Sequence, residues 1–174
     1  YTRENISNYF LGIVSVNQEY YREAFKYLKK VESIKNRHSQ FNIEFIRTLI
    51  FLEKFKKAFV FSKSVWTAEE LFFETDLLLG LSAFIKKDYI SAEKHFKRLN
   101  KISQYHSIFD NFAGHVLMAW TRALQGNKED SFRFIEEIPN SLYHLKSTQN
   151  IFLQCYFDDN KTLRSFEELI EDKN

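Results

Sequence analysis

The sequence predicts an all-α fold, a right-handed α-α superhelix of about five helical hairpins, and three observations carry that prediction. First, a pattern recurs every 34 positions: Ala24, Ala58 and Ala92 are preceded three residues earlier by Tyr21, Phe55 and Tyr89, and followed seven later by Val31, Val65 and Leu99. A fixed period of this length is the mark of stacked supersecondary units. Second, apolar residues return at helical spacing inside each copy, as Tyr89, Ala92, Phe96 and Leu99 do while Lys94, Lys97 and Arg98 fall on the other side. Third, breakers are scarce, with four Gly and one Pro in 174 residues, so helices joined by short turns are expected.

Taken in order, Ser7 to Asn17 and Tyr20 to Ile34 read as the first hairpin. Gln40 to Glu53 and Phe55 to Ser64 make the second, with Trp66 in the turn that follows. Thr67 to Lys86, opening with an early turn, and Tyr89 to Ile102 make the third. The register then slips by five residues: Ser131 takes the Ala position 39 after Ala92, and the polar stretch from Lys101 to Asp110 is expected to form a longer turn. Asp110 to Gln125 and Glu129 to Ile138 make the fourth hairpin. Leu142 to Phe157 and Thr162 to Asp172 make the fifth, with Ser165 again 34 after Ser131. Lys87-Asp88, Gly126-Asn127 and Asp158-Asp159-Asn160 supply turn and capping residues between paired helices.

Twelve residues before the Ala position stands a second marked site, occupied by Gly12, Ile46, Gly80, Ala119 and Leu153. A small side chain there lets the two helices of a hairpin approach closely. An LG pair in one helix (Leu11-Gly12, Leu79-Gly80), a small residue twelve further on and a 34-residue period together resemble the tetratricopeptide repeat (TPR) family. The resemblance covers nearly the whole chain and is that of a divergent, bacterial-type multi-repeat array. Four residues before the Gly site, where the TPR pattern has Trp, this chain has Asn8, Asn42, Asp76, His115 and Gln149. Three after it, in place of Tyr, stand Ser15, Leu49, Ala83, Arg122 and Tyr156, and the only proline is Pro139. The expected organisation is one solenoid domain over 1–174, with repeats at about 5–38, 39–72, 73–106, 112–145 and 146–174. The chain opens on Tyr1 rather than Met; the expectation is a fragment of a longer chain, with cytoplasmic and periplasmic placement both open.

The resemblance implies a concave groove lined by the first helix of each pair, which holds a partner peptide or helix. Positions three before and one, four and five after the Gly site share one helical face. They are Tyr9, Ile13, Val16 and Asn17; Ile43, Arg47, Ile50 and Phe51; Leu77, Leu81, Phe84 and Ile85; Val116, Trp120, Ala123 and Leu124; and Asn150, Gln154, Phe157 and Asp158. Such a groove is apolar and aromatic through its middle, with Arg47 as its one clear charge. It therefore suits a hydrophobic or amphipathic segment, and lacks the Lys, Arg and Asn set with which TPR domains clamp acidic chaperone tails. The expected anchors are Trp120, Phe84, Phe51 and Arg47, since Trp and Arg are the types that most often carry about 2 kcal/mol or more of binding energy. The opposing expectation for any one of these residues is that it packs in the core.

Other functions find little support. The five histidines, His38, His95, His106, His115 and His144, form no HExxH pattern and no i, i+4 pair. Cys155, the single cysteine, reads as a buried small residue on an apolar helix, and Glu136-Glu137 and Glu167-Glu168 read as solvated charge. No phosphate loop or nucleophile elbow is present, so neither an enzyme nor a cofactor is expected. The net charge is +2, from 25 basic and 23 acidic side chains, which exerts no strong pull toward nucleic acid or membrane. The basic-aromatic runs Lys54-Phe55-Lys56-Lys57, Lys86-Lys87 and Lys94 to Lys101 keep a helical-repeat nucleic-acid module as one alternative, and they fall mostly on the outer second helices. A self-associating array is the other alternative, because an exposed apolar surface can be covered by another copy. No apolar run reaches membrane-spanning length. The expected function is a non-catalytic protein-interaction scaffold.

Overall fold

A computed structural model describes residues 3–103 and 108–171, and among these it contains ten α-helices and no strand. They run in pairs: α1 (Arg3–Asn17) with α2 (Tyr21–Lys30), α3 (Ser39–Phe51) with α4 (Phe55–Val65), and α5 (Phe73–Ile85) with α6 (Tyr89–Ser103). After residues 104–107, which lie outside the described residues together with His106 and Asp172, come α7 (Ile108–Leu124) with α8 (Lys128–Glu136), and α9 (Tyr143–Tyr156) with α10 (Thr162–Glu171). Short 3-10 turns follow α2 at Glu32–Ile34 and precede α9 at Asn140–Leu142. Residues 67–72, expected to begin a helix after an early turn, are not helical. There Thr67 Oγ1 accepts a hydrogen bond from the Glu70 N–H at 3.1 Å, a local bond that competes with helix.

The described residues gather into two compact units, Tyr1–Leu79 and Gly80–Asn174. In the first, successive first helices touch (α1 on α3), and α2 packs on both α1 and α3. Its core holds Leu28, Val31, Phe41, Phe45, Ile46, Leu49, Ala58 and Phe61. In the second, α7 packs against α6, α8 and α9, around Ala119, Ala123, Ile135, Ile138 and Leu153. The 34-residue marker is a burial marker: Ala24, Ala58, Ala92 and Ser131 are all fully buried, as are Val31 and Leu99, while Val65 and Ile138 are nearly so. The Gly site is likewise buried in every copy, whether it holds Gly, Ile, Ala or Leu.

The paired helices are joined by one device used five times. Glu19, Glu53, Lys87, Gly126 and Asp158 all have positive φ, between 51° and 79°. In each joint the N–H of this residue reaches back to a carbonyl three residues earlier, and the next N–H reaches back five. For the first joint these are Glu19 to Val16 at 2.9 Å and Tyr20 to Ser15 at 2.8 Å. The second has Glu53 to Ile50 and Lys54 to Leu49, and the third Lys87 to Phe84 and Asp88 to Ala83. The same pairs recur as Gly126 to Ala123 with Asn127 to Arg122, and Asp158 to Cys155 with Asp159 to Gln154. This is the Schellman arrangement, which satisfies the last carbonyls of a helix. Asp88 then accepts the Ser91 N–H at 3.1 Å at the start of α6, and hydrogen bonding to Ser91, side chain first and backbone second, holds its carboxyl below the usual range.

Only one of the five left-handed positions is glycine. A side chain there costs about 1–2 kcal/mol, and glycine's greater loss of freedom returns about 0.5–1 kcal/mol of that advantage. Glu53→Gly is therefore expected to stabilise the first unit by about 0.5–1 kcal/mol, measured by urea denaturation. Glu19→Gly should behave alike, and a loss of stability in both would contradict the left-handed joint.

Candidate partner-binding surface

The four groove positions of each copy separate by burial. Those three before and one and four after the Gly site are mostly turned into packing. Tyr9, Ile13, Val16 and Ile50 lie half-buried against the first core, and Val116, Trp120 and Phe157 against the second. Ala123 is a core residue, and Leu81 is half-buried. Phe84 has ring centroids 6.0 Å from Tyr89 and 6.3 Å from Phe96. The Trp120 indole N–H donates to Gln149 Oε1 at 3.0 Å, and the ring stands edge-on to Tyr156 at 5.8 Å.

Arg47, expected as the one clear charge of the face, is exposed and paired. Its Nε lies 2.6 Å from Glu74 Oε1 on α5, and Nη1 lies 3.5 Å from Glu44 Oε1 one turn back. The Tyr9 hydroxyl is pushed above its ordinary pKa by burial first and then by the charge of Glu44. Its ring sits 4.8 Å from that of His38.

The position five after the Gly site, the last residue of the first helix, behaves differently. Phe51 is 60% exposed in the first unit, and Ile85 is 78% and Leu124 38% exposed in the second. Phe51 is steadied by stacking on Tyr21, with centroids 4.2 Å apart and planes 9° from parallel. The fifth copy departs from the expected pattern. Its first helix ends at Tyr156, three residues after Leu153 rather than five, and its joint is two residues longer. Phe157 and Asp158 thus fall in the turn and not on a helical face; Phe157 turns inward, 6.1 Å from Phe132.

The sequence reading missed the role of the polar residues that stand where the TPR pattern has Trp. Asn42 is nearly buried and donates from Nδ2 to the Lys35 carbonyl at 2.8 Å. Asp76 is fully buried and accepts the Trp66 indole N–H at 3.0 Å. Gln149 accepts from Trp120, and His115 Nε2 lies 3.4 Å from Glu137 Oε2. Each links its helix to a neighbouring element by a hydrogen bond or a polar contact. The recurrence of Asn, Asn, Asp, His and Gln at one repeat position was the available signal, since a polar residue recurring at a helix's inward face needs a partner.

Among the described residues no group of three or more His, Cys, Asp or Glu side chains is placed to hold a metal ion, and no helix is long and apolar enough to cross a membrane. Cys155, expected to be buried, is exposed.

No protein-family model matches the chain, and no curated protein matches it in sequence. Solved structures do match in fold. A fragment of MamA from Desulfovibrio magneticus RS-1, residue 41 to its end, aligns with a TM-score of 0.74 at 13% identity, over 98% of this chain and 95% of that one. A crystal structure of MamA protein aligns at 0.73 and 11% identity, over 97% and 91%. A MamA structure designated MSR-1 C2 aligns at 0.65 and 10% identity, over 98% of both chains. At these identities the likeness is one of fold, and it establishes the fold class read from the 34-residue period: all-α, a TPR-like α-solenoid.

Proposed function

We propose that the chain is a non-catalytic protein-interaction scaffold that holds an apolar or amphipathic segment of a partner at the ends of its first helices. The observation that supports this reading is the recurrence of a large exposed apolar residue at one repeat position, Phe51, Ile85 and Leu124. A residue that its own chain leaves exposed, yet that stays apolar in three successive copies, is suited to bury surface against another molecule. The helix-in-groove and extended-segment modes of recognition both use exposed apolar anchors.

Phe84 and Trp120 are poor probes of binding, because both are tied into packing. The test uses the exposed positions instead. Phe51→Glu/Ile85→Glu/Leu124→Glu is expected to keep the helicity of the parent by circular dichroism. In a pull-down from lysate of the source cells, it is expected to retain at least about tenfold less of the partner, a loss worth roughly 1.4 kcal/mol. Equal retention by a folded variant would place binding elsewhere. Recovery of another copy of the chain as the retained protein would favour self-association. That reading is supported by the apolar stripes Ile6, Phe10 and Val14 on α1 and Leu163, Phe166 and Ile170 on α10, all exposed.

A further inference from the structure

In the first unit, α2, α3 and α4 line an open cavity of about 480 Å³ floored by Phe25, Phe45, Leu49 and Phe61. Its rim carries Lys29, Lys35, Lys56 and Lys57 against a single carboxylate, Glu32. A second cavity, which also borders Phe25, brings Arg22, Lys26 and Lys54 against Glu53, beside Phe51. The ammonium groups converge on the aromatic floor: Lys29, Lys54 and Lys57 stand 5.9, 5.6 and 5.8 Å from the Phe25 centroid. Lys35 stands 6.0 Å from that of Phe61 and donates to Ser64 Oγ at 3.4 Å. Among the described residues, none of Lys29, Lys35, Lys54, Lys56 and Lys57 has a carboxylate partner.

Three like charges gathered around one ring repel each other, and the apolar floor beneath them weakens the screening that water provides. The ring faces offset part of this; an anion among the ammonium groups would offset more. The cavity lies in the size range of small-molecule sites, which are apolar with a few charged groups at fixed places. The floor rings are not platforms for stacked bases, since Phe45 and Phe61 are buried; this disfavours a nucleic acid. We propose that this cavity binds a small anionic amphiphile, its apolar chain on the phenylalanine floor and its carboxylate between Lys29 and Lys57.

Phe51 borders the second cavity but not this one, and the test changes only lysines of this cavity, so the proposal stands independently of the scaffold reading. It is tested by titration calorimetry of the chain with dodecanoate below its micellar concentration. The expected result is saturable binding at one site, weakened at least tenfold in a Lys29→Gln/Lys57→Gln variant of unchanged helicity. Acetate, which has the charge without the chain, and dodecyltrimethylammonium, which has the chain with the opposite charge, should each fail to compete. No saturable binding, or binding unaffected by the lysine changes, would overturn the proposal. So would equal competition by the cationic amphiphile, or binding of an acidic, phenylalanine-containing peptide where dodecanoate does not bind.

Discussion

Phe41→Ala is expected to destabilise the first unit by about 3–5 kcal/mol, the usual cost of truncating a fully buried phenylalanine. Phe41 has no exposed surface and stands at the centre of a ring cluster, stacked on Phe45 at 5.5 Å and edge-on to Phe61 at 6.2 Å. Those neighbours are held by each other, Phe45 to Phe61 at 4.8 Å and Phe45 to Phe25 at 6.0 Å. A rigid wall collapses little into a void, so the upper part of the range applies. Whole domains are stable by only about 5–15 kcal/mol, and the variant should lose much of its cooperative transition in urea, followed by circular dichroism. Phe10→Ala is the control: Phe10 is exposed, and its loss should change stability by no more than about 0.5 kcal/mol. A similar small effect at Phe41 would mean that α3 does not pack as described.

Gly80→Val is the second large effect, and here two terms oppose. Replacing a mid-helix glycine gains a few tenths of a kcal/mol to about 1 kcal/mol in helix propensity. Against this, a Cβ at residue 80 would meet the Phe96 ring, with Cδ1 2.7 Å away and Cε1 closer, and His95 Cβ at 3.2 Å. Phe96 is fully buried and an aromatic ring cannot bend aside, so overpacking of about 1–3 kcal/mol is expected from the Cβ alone. Valine's two methyls add to it, and a net loss of about 2 kcal/mol is expected in thermal or urea unfolding of the second unit. The coupling is checkable: in a Phe96→Leu background the penalty of Gly80→Ala should shrink. Gly12→Ala should cost less than Gly80→Ala, because its side-chain contacts are with Leu28 Cδ2 at 2.5 Å and Cγ at 2.7 Å, the movable end of a flexible chain.

These contacts explain why the fold was legible in the sequence. Close crossings demand small residues, and Ala24, Ala58 and Ala92 record them at a fixed interval, with Ser131 following after one slip of five. The surface was less legible, because helical periodicity assigns a residue to a face without saying what lies against that face. Arg47 read as the one clear charge of the face because Glu74, its partner at 2.6 Å, is 27 residues away, and Trp120 looked like an anchor because Gln149 is 29 away. Both partners belong to the next repeat, which local spacing does not reach. Glu19, Glu53 and Lys87 hid the left-handed joints for a different reason: only Gly126 is a residue type that announces positive φ.

The five joints also bear on how such a chain can change over long times. Each is closed by main-chain groups, so its geometry is insensitive to which side chain occupies it, and Glu, Glu, Lys, Gly and Asp already share one position. The spacing of the array is thus inherited through the backbone, while residue identities drift under the weak demand that crossings stay small and inward faces stay apolar. Fold can then outlast residue identity wherever the joints keep their places.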